Sequence, residues 1–338
     1  PSEGWNKVNG YWMYDANGVK VTESWVKDSN GWGYLDANGY MVTGWQRIGT
    51  NWYYLKPSGA MATGWLEDGK ATYYLSASGA MVTGWQTIEG RKYFFNTSGA
   101  METGWKEASG KKYYLDENTG AMAIGFSEIK GKKYYFDKDG YMVTGWITVE
   151  GKKYCFDKDG VMETGWKNVD GRKYYLDEKT GVLAIGWCNI EENRYYFDQD
   201  GFIKIGWLLI GTNWYYLDEN GCMVTGWHKV NNVNYYFKLT GVMATGWTAI
   251  ANKWYYFNAS GVLVTGWLLD GSSWYYLEED GVMVTGWLEV GHTWYYFHAS
   301  GAMATGWLEV GHTWYYFHAS GAMATGWLRV GNTWYYLD

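Results

Sequence analysis

The sequence predicts an all-β protein, a solenoid of β-hairpins, on three observations. A period of about twenty residues runs through the whole chain. Each period holds two short aromatic and β-branched runs separated by a polar turn such as Gly-Thr-Asn or Glu-Gly-Arg, the pattern of a hairpin. Glycine and aromatic residues are abundant together, with 47 Gly, 25 Trp, 33 Tyr and 11 Phe among 338 residues and only 2 Pro. That balance suits half-exposed surfaces rather than an enzyme core, because Trp and Tyr join a flat apolar body to a polar tip.

Residues 45–65 show one unit: Trp45, six variable residues, Trp52-Tyr53-Tyr54-Leu55, a polar stretch ending at Gly59, Met61, and Gly64 before the next Trp65. Seventeen such units begin at leading aromatics from Trp5 to Trp327, with Phe126 replacing Trp once. Along the second run side chains alternate, so Trp52 and Tyr54 point one way while Tyr53 and Leu55 point the other. A lone hairpin is marginal in water, so the units must stack and bury Tyr and Leu against neighbours, with no central core. Residues 288–307 and 308–327 are identical, a mark of recent duplication.

Three blocks divide this one array. Residues 1–84 are partly irregular, with Met13 and Gly33 where other units carry an aromatic. Residues 85–206 are altered by lysine, and residues 207–338 keep the consensus. The middle block, from Trp85 to Gly206, carries 18 of the 28 Lys and Arg against 19 Asp and Glu, whereas residues 207–338 carry 4 against 9. Two units, beginning at Trp105 and Trp166, have 21 residues through insertions in Asp-Glu-Asn-Thr-Gly and Asp-Glu-Lys-Thr-Gly.

Charge and motif content exclude several functions. A net charge of −7 argues against nucleic acid and anionic membrane as partners. No apolar run is long enough to predict a membrane span. Cys155, Cys188 and Cys222 fit neither a disulfide framework nor zinc-ligand spacing. His228, His292, His298, His312 and His318 read as turn and loop residues, and Asp-Lys-Asp-Gly at 137–140 and 157–160 lacks the rest of a calcium loop. Carboxylates are scattered without a fixed partner, so no catalytic residue, cofactor or metal is expected.

In most units a second aromatic follows the leading Trp at +7. Across a tight hairpin the pair Trp45 and Trp52 can form two walls of a slot that a Tyr of the next hairpin closes. Such a box holds a quaternary ammonium by cation–π attraction and methyl contact. Flat Trp faces also pack on pyranose rings, and interlocking staples would need no ligand at all. The +7 residue is Trp in two blocks but Thr72, Lys92, Lys112, Lys133, Lys153, Lys173, Arg194 or Asn234 elsewhere, while the following aromatics mostly persist. A residue dispensable for stacking yet regular in two blocks points to ligand contact.

The pattern GW…WYY(L/F)…GAMATGW resembles the choline-binding repeats of pneumococcal and phage surface proteins, over the whole chain. The resemblance implies a left-handed superhelix, about three hairpins per turn, holding phosphocholine of wall teichoic and lipoteichoic acids between consecutive hairpins. It implies a secreted, non-catalytic protein of the bacterial cell wall, similar to array-only members; by occupying wall choline, such an array is expected to compete with choline-dependent wall hydrolases. Segments such as GKKYYFDKDG at 131–140 also resemble the repeats of clostridial toxins and glucan-binding proteins, which keeps a glucan-binding array or adhesion module as the alternative.

Carried over residue by residue, the resemblance implies choline boxes at Trp207, Trp214 and Tyr236; Trp247, Trp254 and Tyr276; Trp267, Trp274 and Tyr296; Trp287, Trp294 and Tyr316; and Trp307, Trp314 and Tyr336. Near the N-terminus it implies Trp5, Trp12 and Tyr34; Trp25, Trp32 and Tyr54; and Trp45, Trp52 and Tyr74. The pair Trp327 and Trp334 is expected to be open. A lysine at +7 is expected to cover its slot and repel a cation.

Overall fold

A computed structural model describes residues 4–69 and 71–338. Among them there is no helix; the chain forms seventeen antiparallel hairpins, the first extended to three strands by Val19–Lys20. Each strand of the regular hairpins has five residues, as in Gly44–Ile48 with Asn51–Leu55. The two-residue turns need left-handed backbone, and the sequence supplies it. Glu89 and Gly90 both have positive φ, 50° and 77°, the geometry that matches the natural twist of a hairpin.

Register is the same throughout. Trp45 pairs with Tyr54, Gln46 with Tyr53 and Arg47 with Trp52; Trp207 pairs with Tyr216, Leu208 with Tyr215 and Leu209 with Trp214. The leading Trp and its +7 and +9 residues therefore share one face. The +8 and +10 residues share the other.

The contacts divide the chain into two compact units, residues 1–165 with 178–182, and residues 166–177 with 183–338. In the first, Leu35, Leu55, Leu75, Phe95, Leu115 and Phe136, all at +10, are fully buried; in the second, Leu176, Phe197, Leu217, Phe237, Phe257, Leu277, Phe297 and Phe317 are likewise. Each contributes about 1.5–3 kcal/mol by burial. The core is a series of small clusters from adjacent hairpins, such as Tyr114, Ile129, Tyr134 and Phe136.

Within each unit, consecutive hairpins are joined by backbone. The N–H of Met81 donates to the carbonyl of Trp52 at 2.8 Å, and that of Met243 to Trp214 at 2.8 Å. The bond persists where the partner side chain changes, from Met122 to Lys92 and from Met142 to Lys112, both 2.8 Å. Each such Met then lies under the next loop's glycine. A Cβ on Gly261, whose φ is +76°, would stand 2.3 Å from the sulfur of Met243, so only glycine fits.

Candidate functional site: aromatic boxes between hairpins

The face carrying the leading Trp and the +7 residue looks toward the next hairpin, whose opposite face looks back. This produces repeated clefts. One of about 390 Å³ is lined by Trp207, Trp214, Tyr235, Met243, Ala259 and Ser260. Another of about 290 Å³ is lined by Trp45, Trp52, Tyr73, Met81, Thr97 and Ser98. The rings of Trp207 and Trp214 stand 6.1 Å apart at 88°, and Trp267 with Trp274 and Trp287 with Trp294 repeat this at 6.2 Å. Both walls stay accessible: Trp207 is 38% exposed and Trp214 41%. Neither cleft is lined by a charged residue.

The third wall is the tyrosine at +8 of the next hairpin, one residue before the position expected from sequence. Tyr53, Tyr73, Tyr235, Tyr275, Tyr295, Tyr315 and Tyr335 lie 4.7 to 4.9 Å from Trp25, Trp45, Trp207, Trp247, Trp267, Trp287 and Trp307 respectively. Tyr34, Tyr54, Tyr74, Tyr236, Tyr276, Tyr296, Tyr316 and Tyr336 instead pack edge-on against the leading Trp of their own hairpin, at 5.1 to 5.3 Å. The reason is strand alternation. A +9 side chain points away from the preceding hairpin, so it cannot close that hairpin's slot.

A further correction concerns the first of the expected series. Behind Trp5 and Trp12 the +8 position is Gly33, so that cleft, about 260 Å³, has backbone and Met41 in place of a third ring. Trp327 and Trp334 are 70% and 60% exposed. The methionine floor was missed by sequence reasoning, although its recurrence two residues before Thr-Gly in most units carried the signal.

Some leading indoles are also oriented by carboxylates. The Nε1–H of Trp45 donates to Asp68 at 2.8 Å and that of Trp247 to Asp270 at 2.9 Å. In two lysine-altered units the +8 phenol is shifted: Tyr195 is pushed up to about 12 by its hydrogen bond with the Cys222 thiol and by burial, and Tyr113 is raised by burial and by its hydrogen bond with Tyr141.

In the lysine-altered units the frame is unchanged. Trp85, Trp105 and Phe126 meet Tyr113, Tyr134 and Tyr154 at 5.0 Å each. The slot is not. The ammonium of Lys92 sits over Trp85 at 5.4 Å, that of Lys153 over Trp146 at 4.9 Å, and the Arg194 guanidinium over Trp187 at 4.6 Å. In these three units the cation covers the leading ring; no such contact forms at Lys112, where a covered slot was expected.

A family model described as a choline-binding repeat matches residues 42–83, 82–125, 123–149, 143–186, 184–225, 224–265, 264–306 and 304–338. The chain belongs to the choline-binding repeat family. A second model, a putative cell wall binding repeat, matches residues 23–41. Members of this family are wall-associated modules of the cell surface. Among solved structures the chain is similar to CbpJ from Streptococcus pneumoniae, at 32% identity over 78% of this chain and 100% of that one, with a TM-score of 0.50. It is similar to choline binding protein F of S. pneumoniae at 29% identity over 78% and 98%, TM-score 0.50. The same protein, crystallised in the presence of a peptidoglycan analogue, matches at 33% identity over 68% and 95%, TM-score 0.49. No curated protein sequence matches the chain.

Proposed function

We propose that this chain is a non-catalytic wall-binding array that holds the phosphocholine of teichoic and lipoteichoic acids in its double-tryptophan boxes. The observation that carries the proposal is the uncharged cleft of Trp207, Trp214, Tyr235 and Met243. Two indole faces at 88° and a phenol surround a space for a trimethylammonium group, and the thioether supplies a soft floor for its methyls. Boxes of the same design follow at Trp25/Trp32/Tyr53, Trp45/Trp52/Tyr73, Trp247/Trp254/Tyr275, Trp267/Trp274/Tyr295 and Trp287/Trp294/Tyr315, and the three rings recur at Trp307/Trp314/Tyr335.

Each open box supplies ~1–2 kcal/mol of cation–π attraction plus methyl burial, so one site alone is weak. A polymer carrying many cholines engages several boxes, and linkage raises apparent affinity by ~10²–10⁴. In functional terms residues 207–338 anchor most strongly, residues 1–84 add sites, and residues 85–206 separate them. Occupancy of wall choline by a module without a hydrolytic site excludes choline-dependent hydrolases from the same ligands, which slows lysis. The protein should bind a tertiary-amine resin, elute with free choline, and slow an autolysin that needs choline while leaving a choline-independent muramidase unaffected. Retention on dextran with no response to choline would reject the box assignment; equal inhibition of both hydrolases, or of neither, would reject competition alone.

A further inference from the structure

One lysine-altered slot is open. Lys112 stands where a second Trp would, yet its ammonium does not lie over Trp105 as Lys92 does over Trp85. Trp105 keeps 46% of its surface exposed. Between them lies a cleft of about 410 Å³, lined also by Tyr134, Met142, Glu107 and Asp159. Lys106, at its edge, is committed elsewhere, with its ammonium 2.7 Å from Glu102 and 3.6 Å over Phe94. Among the described residues neither Lys112 nor Asp159 has a side-chain ion-pair partner.

The rim of this slot differs from that of the double-tryptophan slots. Ser98 closes the slot of Trp52, and Ser260 that of Trp214. At the same spacing Trp12, Trp32, Trp254 and Trp274 are followed by Ser58, Ser78, Ser300 and Ser320. At the equivalent place before the loop glycine, one residue later because a 21-residue unit intervenes, Lys112 is followed by Asp159 and Lys92 by Asp139. At these two units, as at Lys153 with Asp200, a donor wall faces a carboxylate rim, whereas Lys133, Lys173 and Arg194 face Thr180, Asn220 and Thr240; at Lys112 the aromatic platform, the tyrosine and the methionine remain.

We propose that the cleft of Trp105, Lys112, Tyr134 and Asp159 binds a neutral pyranose. The C–H face of such a ring packs on the exposed indole, while its hydroxyls accept from the Lys112 ammonium and donate to the Asp159 carboxylate. The lysine replaces the ring that a trimethylammonium group needs on its second side. The site is independent of choline capture by the other boxes. N-acetylated amino sugars of a wall glycan and unsubstituted glucosyl units share this chemistry.

The test is saturation-transfer NMR on the full chain with chitotriose and, in parallel, isomaltotriose, each with and without excess choline. Transfer to one or both sugars should persist in excess choline. Lys112→Met and Asp159→Asn should each weaken it about tenfold, the scale of losing a charged hydrogen bond. Both side chains are on the surface, and the stacking bond at this position uses the Lys112 backbone carbonyl, so both variants should fold and keep their response to choline. Which sugar responds identifies the source. No transfer from either sugar, transfer abolished by choline, or transfer unchanged in both variants would overturn the proposal.

Discussion

Trp85 with Lys92 and Trp207 with Trp214 occupy the same place in the same hairpin. In both units the leading ring meets a tyrosine of the next hairpin near 5 Å, at 5.0 Å for Tyr113 and 4.9 Å for Tyr235, and in both the +7 carbonyl accepts from a methionine N–H at 2.8 Å. They differ in one wall. An indole leaves an open, uncharged box; an ammonium over the ring fills it. The backbone bond and the +8 and +10 residues are common to both units, so under the proposed function the +7 side chain alone decides whether a ligand is held. This separation is what lets a block of the array lose its boxes without losing its fold.

The largest expected effect comes from removing walls where they are dense. The triple variant Trp214→Ala, Trp254→Ala, Trp274→Ala should remain folded and lose ~10²–10⁴ in apparent affinity for choline-bearing wall. The loss would be read from retention and from the choline concentration that elutes it. Substituting Lys92, Lys112 and Lys153 by Ala should leave retention unchanged. Equal losses in the two triples would erase the functional distinction between the regions.

The shared frame should respond alike in both. A Cβ on Gly140 would stand 2.4 Å from the Met122 sulfur, and one on Gly261 2.3 Å from that of Met243, with φ of +83° and +76°. Gly140→Ala and Gly261→Ala are each expected to cost ~1–3 kcal/mol, measured by denaturant unfolding. A cost confined to one of them would mean that the two regions stack differently.

The smallest expected effect separates neighbouring tyrosines. Tyr235→Ala should weaken the single box of Trp207 and Trp214 about tenfold, the cation–π contribution of one ring. Tyr236→Phe should leave that box unchanged, since Tyr236 packs on Trp227 at 5.3 Å. The two could be resolved by following the indole signals of Trp207 and Trp214 during choline titration.

The hairpins, their turns and the buried +10 column were legible in the sequence, because period, turn glycines and alternation all act locally. That the leading Trp and the +7 Trp stand together on one face was legible as well, from their spacing across a tight hairpin. The third wall was misplaced by one residue. Alternation alone sets Tyr53 opposite to Trp52 and Tyr54, and a wall facing backward must come from that opposite face. The needed rule was present, but the direction in which consecutive hairpins face each other was not. The same holds for Lys112 and Lys92. Their sequence contexts are similar, and the different courses of their side chains emerge only with neighbouring loops in place.

The most direct measurement of the central claim is a pair of choline-soaked crystal structures, of the wild-type chain and of Lys112→Trp. The wild type should show trimethylammonium groups between the paired indoles, including Trp207 with Trp214 against Tyr235, and none over Trp85 or Trp105. In Lys112→Trp one additional choline should appear between Trp105, the introduced indole and Tyr134. Choline in the wild-type lysine slots, or a folded Lys112→Trp chain with no added site, would contradict the assignment of recognition to the +7 wall.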